Sequence, residues 1–145
     1  IDDTHGIDGV ESHLNTHGPD ILVIDMLDKV TIEGSSDLAQ HERLRELYRR
    51  TRDLATKYGC VIFGYSQLSA EAEGRVNLNL SMMENSRTGK AAEADLMLLI
   101  GKYSQVEGAQ ENDPRRVFNI AKNKISGWHG QIHVMLDGRK AKYDD

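Results

Sequence analysis

The sequence is short of cysteine, with Cys60 alone among 145 residues. One thiol excludes an internal disulfide framework and suits a reducing, cytoplasmic setting. No apolar run approaches the roughly 20 residues that a membrane-spanning helix requires, so no membrane partner is expected. An excess of positive charge is also lacking: 18 Lys and Arg stand against 23 Asp and Glu, a net charge of −5. That balance argues against a protein that coats nucleic acid by bulk attraction, but it leaves room for a few local cations. Internal repeats and low-complexity tracts are absent. So is any Gly-x-x-x-x-Gly-Lys-Ser/Thr, the loop that cradles nucleotide phosphates. What is present, 39% hydrophobic and 28% charged residues, is the composition of a folded globular chain, and the length fits one domain over residues 1–145. The chain starts at Ile1, and Ile1-Asp2-Asp3-Thr4 reads like the end of a strand. A fragment, a processed product or the downstream part of a split protein is therefore expected.

Apolar runs alternate with helical patterns. Ile21-Leu22-Val23-Ile24 follows the Gly18-Pro19 turn and suits a strand buried on both faces of a parallel sheet. A helix is expected from about Ser36 to Lys57, because Leu44, Leu47, Tyr48, Thr51, Leu54, Ala55 and Tyr58 recur at spacings of three and four. Ser36 is a suitable N-cap and Gly59 a suitable C-terminal stop. Arg43, Arg45, Arg49, Arg50 and Arg52 fall on the solvated side. Cys60 to Tyr65 reads as a second buried strand with Cys60 as a small core residue. Residues 69 to 90 form a long polar segment of the kind that serves as a binding element or lid. Further strands are expected over Asp95 to Ile100, Val117 to Ala121 and Gln131 to Leu136, the last two joined by a turn around Gly127 to Gly130. The fold class is α/β: a mostly parallel sheet flanked by helices, finished by a C-terminal β-hairpin.

Four segments could carry chemistry. Asp25 ends an apolar strand, at the sheet edge where open α/β folds bind ligands, and a carboxylate there can hold Mg2+ beside a nucleotide's phosphates. An apolar strand ending in Asp is also common where a strand merely enters a loop. Gln67, leaving the next strand in Ser66-Gln67-Leu68, could touch a γ-phosphate or orient the attacking water, or could simply be a polar strand end. In Lys122-Asn123-Lys124 the two lysines point to one side of an extended chain. At a subunit boundary they could stabilise charge on a neighbour's nucleotide; otherwise they belong to a solvated hairpin. In the polar segment Arg75, Arg87 and Lys90 are candidate phosphate contacts, with Glu71, Glu73 and Glu84 balancing their charge.

Taken in order, Ile-Leu-Val-Ile-Asp, an Arg-rich helix, Gly-Cys-Val-Ile-Phe-Gly-Tyr-Ser-Gln-Leu-Ser, Ala-Glu-Ala-Asp-Leu-Met-Leu-Leu-Ile and Ala-Lys-Asn-Lys-Ile-Ser-Gly-Trp-His-Gly resemble the C-terminal ATPase domain of DnaB-type replicative helicases, within the RecA superfamily. The likeness runs over nearly the whole chain. It implies a RecA-like fold and a homo-hexameric motor that couples ATP and Mg2+ to unwinding on single-stranded DNA, with a primase or helicase loader as a further partner. Residue by residue, it implies that Asp25 helps hold Mg2+, that Gln67 senses the γ-phosphate, and that Lys122 and Lys124 reach a neighbouring subunit's nucleotide. It also implies that the loop Asn85-Ser86-Arg87-Thr88-Gly89-Lys90 contacts DNA; Arg75 is a candidate DNA contact by its charge in the same polar segment. Two departures stand out. The second position of the basic pair is lysine, as in RecA-type recombinases, and lysine lacks the bidentate fork of arginine. The loop is one residue short of the usual spacing to Ala94-Asp95. The family's phosphate loop and general-base glutamate lie upstream of these residues, so the chain by itself is expected not to hydrolyse ATP. A RecA-like recombinase or clock-type ATPase, and a non-catalytic RecA-fold partner, remain as alternatives.

Smaller features carry less. His13 and His17 are spaced for one helix face, but no third ligand is spaced to join them, so a surface pair is expected. Met82-Met83 is either an apolar anchor of the polar segment or incidental. Trp128 could pack a subunit interface or a base.

Overall fold

The apolar run Ile21–Ile24 forms strand β1, paired in parallel with β2, Val61–Gly64, in the register Ile21↔Val61 to Ile24↔Gly64. The computed structural model to which these strands belong describes residues 6–83, 89–104, 108, 110 and 112–144; the opening Ile1 to Thr4 lies outside them. The chain divides into two units, residues 1–67 with 88–94, and residues 68–87 with 95–145.

In the first unit, helix α1 spans Ile7–His17 and α2 spans Gln40–Tyr58, and both turn an apolar stripe inward. Ile7, Val10 and Leu14 of α1 and Leu44, Leu47 and Leu54 of α2 share one core with Leu22, Ile24, Leu27, Ile32 and Cys60. Burying such side chains contributes about 1.5–3 kcal/mol each, which is what holds helices of this length in place. Helix α2 starts four residues beyond the expected Ser36. Residues 35–38 are instead turned by Ser35 N–H to Ile32 O and Leu38 N–H to Ser35 O, and the Glu42 carboxylate accepts from the Ala39 amide at 3.3 Å. Its stop is the expected one: Gly59 takes the left-handed conformation, φ 63°, without a Cβ penalty. A short helix α3, Gly89–Glu93, completes the unit, and Arg52 of α2 donates to the Glu93 carbonyl at 2.8 Å.

Burial of β1 differs from the expectation of two covered faces. Leu22 and Ile24 are buried, while Ile21, Val23, Val61, Phe63 and Tyr65 are each at least half exposed. Pleat alternation puts Ile21 and Val23 together on one side of β1 and Val61, Phe63 and Tyr65 together on one side of β2.

The second unit corrects the expectation of a mostly parallel sheet. Strands β3 (Leu96–Lys102), β4 (Arg115–Asn123), β5 (Gln131–Asp137) and β6 (Lys142–Asp144) form a four-stranded sheet in that order with every pairing antiparallel. The expected hairpin is β4–β5. The described part of the polar segment in this unit, residues 69–83, is folded onto this sheet. Its 3-10 turns, Ala70–Ala72 and Leu80–Met82, bring Ala72, Leu78 and Met82 against Leu99, and Leu68 bridges Met83. Met82 and Met83 are buried and act as the apolar anchor. A Cβ on Gly101 would lie 2.4 Å from the Val76 carbonyl oxygen, so only glycine lets this segment approach β3.

Candidate functional site

Because β1 and β2 run parallel and in register, the residues that follow them leave from one edge. Asp25 directly follows β1 and is exposed, and Gln67, three residues after β2, is exposed too. Between them the chain is steered sharply. Met26 adopts a left-handed conformation, φ 53°, which is uncommon for a residue with a side chain. The turn lets Leu27 N–H donate to the Tyr65 carbonyl at 2.8 Å, while Tyr65 N–H donates to Ile24 O at 3.0 Å. Asp25 and Gln67 are thus brought to the same edge of one sheet, as the sequence led us to expect.

The same edge holds a side-chain cluster that sequence reasoning missed. Asp28 accepts from the Tyr48 hydroxyl at 2.9 Å, from the Ser66 hydroxyl at 2.6 Å and from the Lys90 ammonium at 2.6 Å. Burial, and the negative carboxylate of Asp28 beside it, push the Tyr48 phenol far above its ordinary range, so it stays a neutral donor. Lys90 has no solvent-exposed surface. This overturns the expectation for Gly89 and Lys90: both are buried at the start of α3, so neither is offered to a nucleic-acid backbone. Arg87 and Thr88 lie outside the described residues. Arg75 is exposed, and its carbonyl accepts from the Lys102 amide at 3.0 Å.

The basic pair belongs to the second unit. Lys122 lies in β4, half-buried, opposite Met97; Lys124 follows the strand, with its ammonium 3.8 Å from the Asp95 carboxylate and its amide donating to the Asp95 carbonyl at 2.8 Å. The residue between them builds the turn. Asn123 Oδ1 accepts from the amides of Ile125 and Ser126, and its Nδ2 donates to Ser126 Oγ and to the Trp128 carbonyl. Such an Asx arrangement substitutes for backbone turn bonds and explains why an asparagine separates the lysines. Gly127, φ 72°, supplies the left-handed position. Ile125 and Trp128 are exposed at the tip. Lys124 is therefore carried on a hydrogen-bonded turn with an apolar tip, and Lys122 on the strand that leads into it.

Elsewhere the charged groups are structural. Arg49 and Arg50 hold the Glu46 carboxyl down at about 2, Arg49 chiefly through hydrogen bonds. The His13 and His17 rings are 4.4 Å apart, and among the described residues no group of three or more His, Cys, Asp or Glu could hold a metal ion. Asp25 is an exposed carboxylate at the sheet edge, the kind of group that can hold a magnesium ion through water. Among the described residues no helix is long and apolar enough to cross a membrane.

The chain has a mixed α/β fold of the kind seen in helicase ATPase domains. Two solved structures carry that likeness. One, described as an ATPase domain, superposes with a TM-score of 0.84 at 18% identity over 97% of this chain and 51% of that one. The other is a DnaB-like replicative helicase, described with its interactions with primase, at a TM-score of 0.82 and 18% identity over 96% of this chain and 34% of that one. The chain therefore spans about half the length of the first and a third of the second. No protein-family model matches the chain, and no curated protein matches it in sequence.

Proposed function

We propose that residues 1–145 are the downstream part of the RecA-like ATPase core of a hexameric, DnaB-type replicative DNA helicase. The observation that carries this reading is the likeness over 96% of the chain to a DnaB-like replicative helicase, beside that over 97% to an ATPase domain. The emergence of Asp25 and Gln67 from one sheet edge supports it. In this reading Asp25 holds Mg2+ through water, and the ion neutralises charge on the nucleotide's phosphates. Gln67 meets the γ-phosphate. Lys122 and Lys124, presented on the Asn123 turn, supply positive charge to the nucleotide of the neighbouring subunit, with Ile125 and Trp128 seated in the subunit contact. Lysine there neutralises charge without the bidentate clamp of arginine. Arg75 and Arg87 remain the candidate single-stranded DNA contacts, and a primase or loader is the further partner. Residues 1–145 by themselves do not turn over ATP, because the phosphate loop and general base are elsewhere.

One observation favours a second reading, a RecA-like recombinase: the pair is Lys-Asn-Lys. Mixing Lys124→Ala subunits with subunits disabled at their own phosphate loop tests action in trans. Under our reading hydrolysis returns at mixed interfaces. If mixing restores nothing and Lys124→Ala assemblies hydrolyse ATP at the parent rate, the assignment is wrong. Unwinding of a forked duplex, against strand exchange between homologous duplexes, separates the two readings.

A further inference from the structure

Where the polar segment crosses the end of β3 it leaves an open pocket of about 360 Å3. The lining includes Leu68, Ser69, Ala72 and Glu73 of the segment and Ile100 and Lys102 of β3, all within the second unit. Backbone bonds fix the two sides against each other. The Lys102 amide donates to the Arg75 carbonyl at 3.0 Å, the Arg75 amide to Ala72 O at 3.2 Å, and the Ser69 amide to Met82 O at 2.8 Å. Three polar groups of the lining are left unused. Ser69 Oγ is buried and has no hydrogen-bond partner. The half-buried Lys102 ammonium and the exposed Glu73 carboxylate form no ion pair with each other or with any other described residue. A buried hydroxyl without a partner is destabilising, so its presence here marks a place where a ligand atom would be welcome.

What these groups can recognise follows from their chemistry. Glu73 only accepts hydrogen bonds, Lys102 only donates them, and the Ser69 hydroxyl does either. A ligand must therefore turn paired N–H donors toward the carboxylate and acceptors toward the ammonium, with apolar faces for Leu68, Ala72 and Ile100. Guanine meets all of this, with N1–H and N2–H2 for a carboxylate and O6 and N7 for a lysine. Adenine and cytosine offer a carboxylate only one amino group, and thymine only one ring N–H. The volume lies at the small end of ligand pockets and suits a single base. We propose that this pocket is a guanine-binding site, in which Glu73 accepts from N1–H and N2–H2, Lys102 donates to O6 or N7, and Ser69 Oγ bonds a remaining polar atom of the base. The base belongs either to a free guanine nucleotide or to a single strand from which it has been turned out. The proposal rests on the helicase reading only for the presence of nucleotides and a strand.

NMR titration of the 145-residue chain with GMP, IMP, AMP and CMP tests it without recourse to any activity. GMP should shift the Ser69, Glu73 and Lys102 amides and bind about tenfold tighter than AMP, the discrimination that a bidentate contact supplies. IMP lacks the N2 amino group, leaves Glu73 a single donor and should fall in between. Glu73→Gln sets an amide N–H2 against the base's own donors and should remove the preference for GMP over AMP. Ser69→Ala deletes a hydroxyl that bonds nothing in the chain, so the urea midpoint should stay or rise while GMP binding weakens several-fold. Equal binding of GMP and AMP, no shift of these amides at millimolar GMP, or a Glu73→Gln chain that keeps the preference would each overturn the proposal. Oligonucleotides separate the two sources of the base. A single-stranded thymidine tract carrying one guanine shifts the same amides, dependent on Glu73, if the strand supplies the base, and leaves them unmoved if only the free nucleotide enters. A complete protein that unwinds DNA beside a chain that binds no guanine sinks the pocket alone. Guanine binding beside a complete protein that unwinds nothing sinks the helicase reading alone.

Discussion

Asn119 joins the polar segment to the sheet, and its replacement gives a sharp test of that joint. It lies in β4, nearly fully buried. Its Nδ2 donates to the carbonyls of Val76 at 2.9 Å and of Leu99 and Val117 at 3.3 Å, and its Oδ1 accepts from the Leu78 amide at 3.3 Å and from Gln131 Nε2 at 2.7 Å. Asn119→Leu keeps the branching at Cγ, adds some bulk and removes all five bonds. Gln131 is exposed and can turn to water, but the Leu78 amide and the Val76 carbonyl are left without their side-chain partner in the interior. At about 1–3 kcal/mol for each orphaned buried group, less roughly 1 kcal/mol returned by the leucine's own burial, the net loss is about 3 kcal/mol. Asn119→Asp keeps the acceptor and faces a carboxylate toward three carbonyl oxygens, so it should cost more than the leucine at neutral pH. Those oxygens raise the aspartate's folded pKa, so the penalty relative to the parent is smallest in acid and grows as pH rises through the unfolded value of about 3.9. Urea denaturation followed by the fluorescence of Trp128, the single tryptophan and a reporter within the same unit, measures both variants. A loss below about 1 kcal/mol for Asn119→Leu would refute the assignment of these bonds as the anchor, as would an aspartate variant no worse than the leucine at pH 7.

Glu46 is lowered from 4.5 to about 2 by Arg49 and Arg50 in the folded chain, so its contribution is present above pH 4.5 and lost as pH falls toward 2. The expected result is that Glu46→Gln flattens the acid limb of a stability–pH curve, which thermal melts across that window will show. Ala141 is exposed with φ 49°, and Ala141→Gly should stabilise the β5–β6 turn by about 1 kcal/mol in the same urea assay. In the complete protein, Arg75→Ala with Arg87→Ala should weaken single-stranded DNA binding alike for all sequences and reduce the log–log salt slope by about 0.7 per lost contact; an unchanged slope would mark these arginines as solvated surface.

The parts of the fold that were legible in the sequence are those decided locally. The apolar stripe of α2 follows from spacings of three and four, β1 from its unbroken apolar run, and the end of α2 from Gly59. Strand direction was not legible beyond the β4–β5 hairpin, because a connection as long as residues 103–114 can return a strand either way. Asp25 and Gln67 were readable because strand ends put them at an edge regardless of what packs around them. Lys90 was misread because a lysine among polar residues is ordinarily solvated. Its carboxylate partner lies 62 residues away in the sequence, and no periodicity signals such a pairing. The role of Asn123 was hidden by the lysines on either side, although an Asn ahead of Ser and Gly is a turn signal.

The uncovered face of the β1–β2 pair sets the colloidal behaviour of the chain in water. Ile21 and Val23 on β1, Val61 and Phe63 on β2, and Tyr65 just beyond it offer apolar surface directly to solvent, and among the described residues neither strand has a second neighbour in its sheet. Such an edge is a template for another strand, and such a face is a site of adhesion. What opposes association is charge repulsion, with a net charge of −5 at pH 7 that vanishes near the isoelectric point of about 5.7. Salt weakens the same repulsion by shortening its range to about 10 Å at 0.1 M. The chain therefore stays dispersed in dilute buffer well above pH 5.7 and clusters as either pH or ionic strength moves the wrong way. A lysine in place of Phe63, at the centre of the face, would break the adhesive surface without touching the buried side of the sheet.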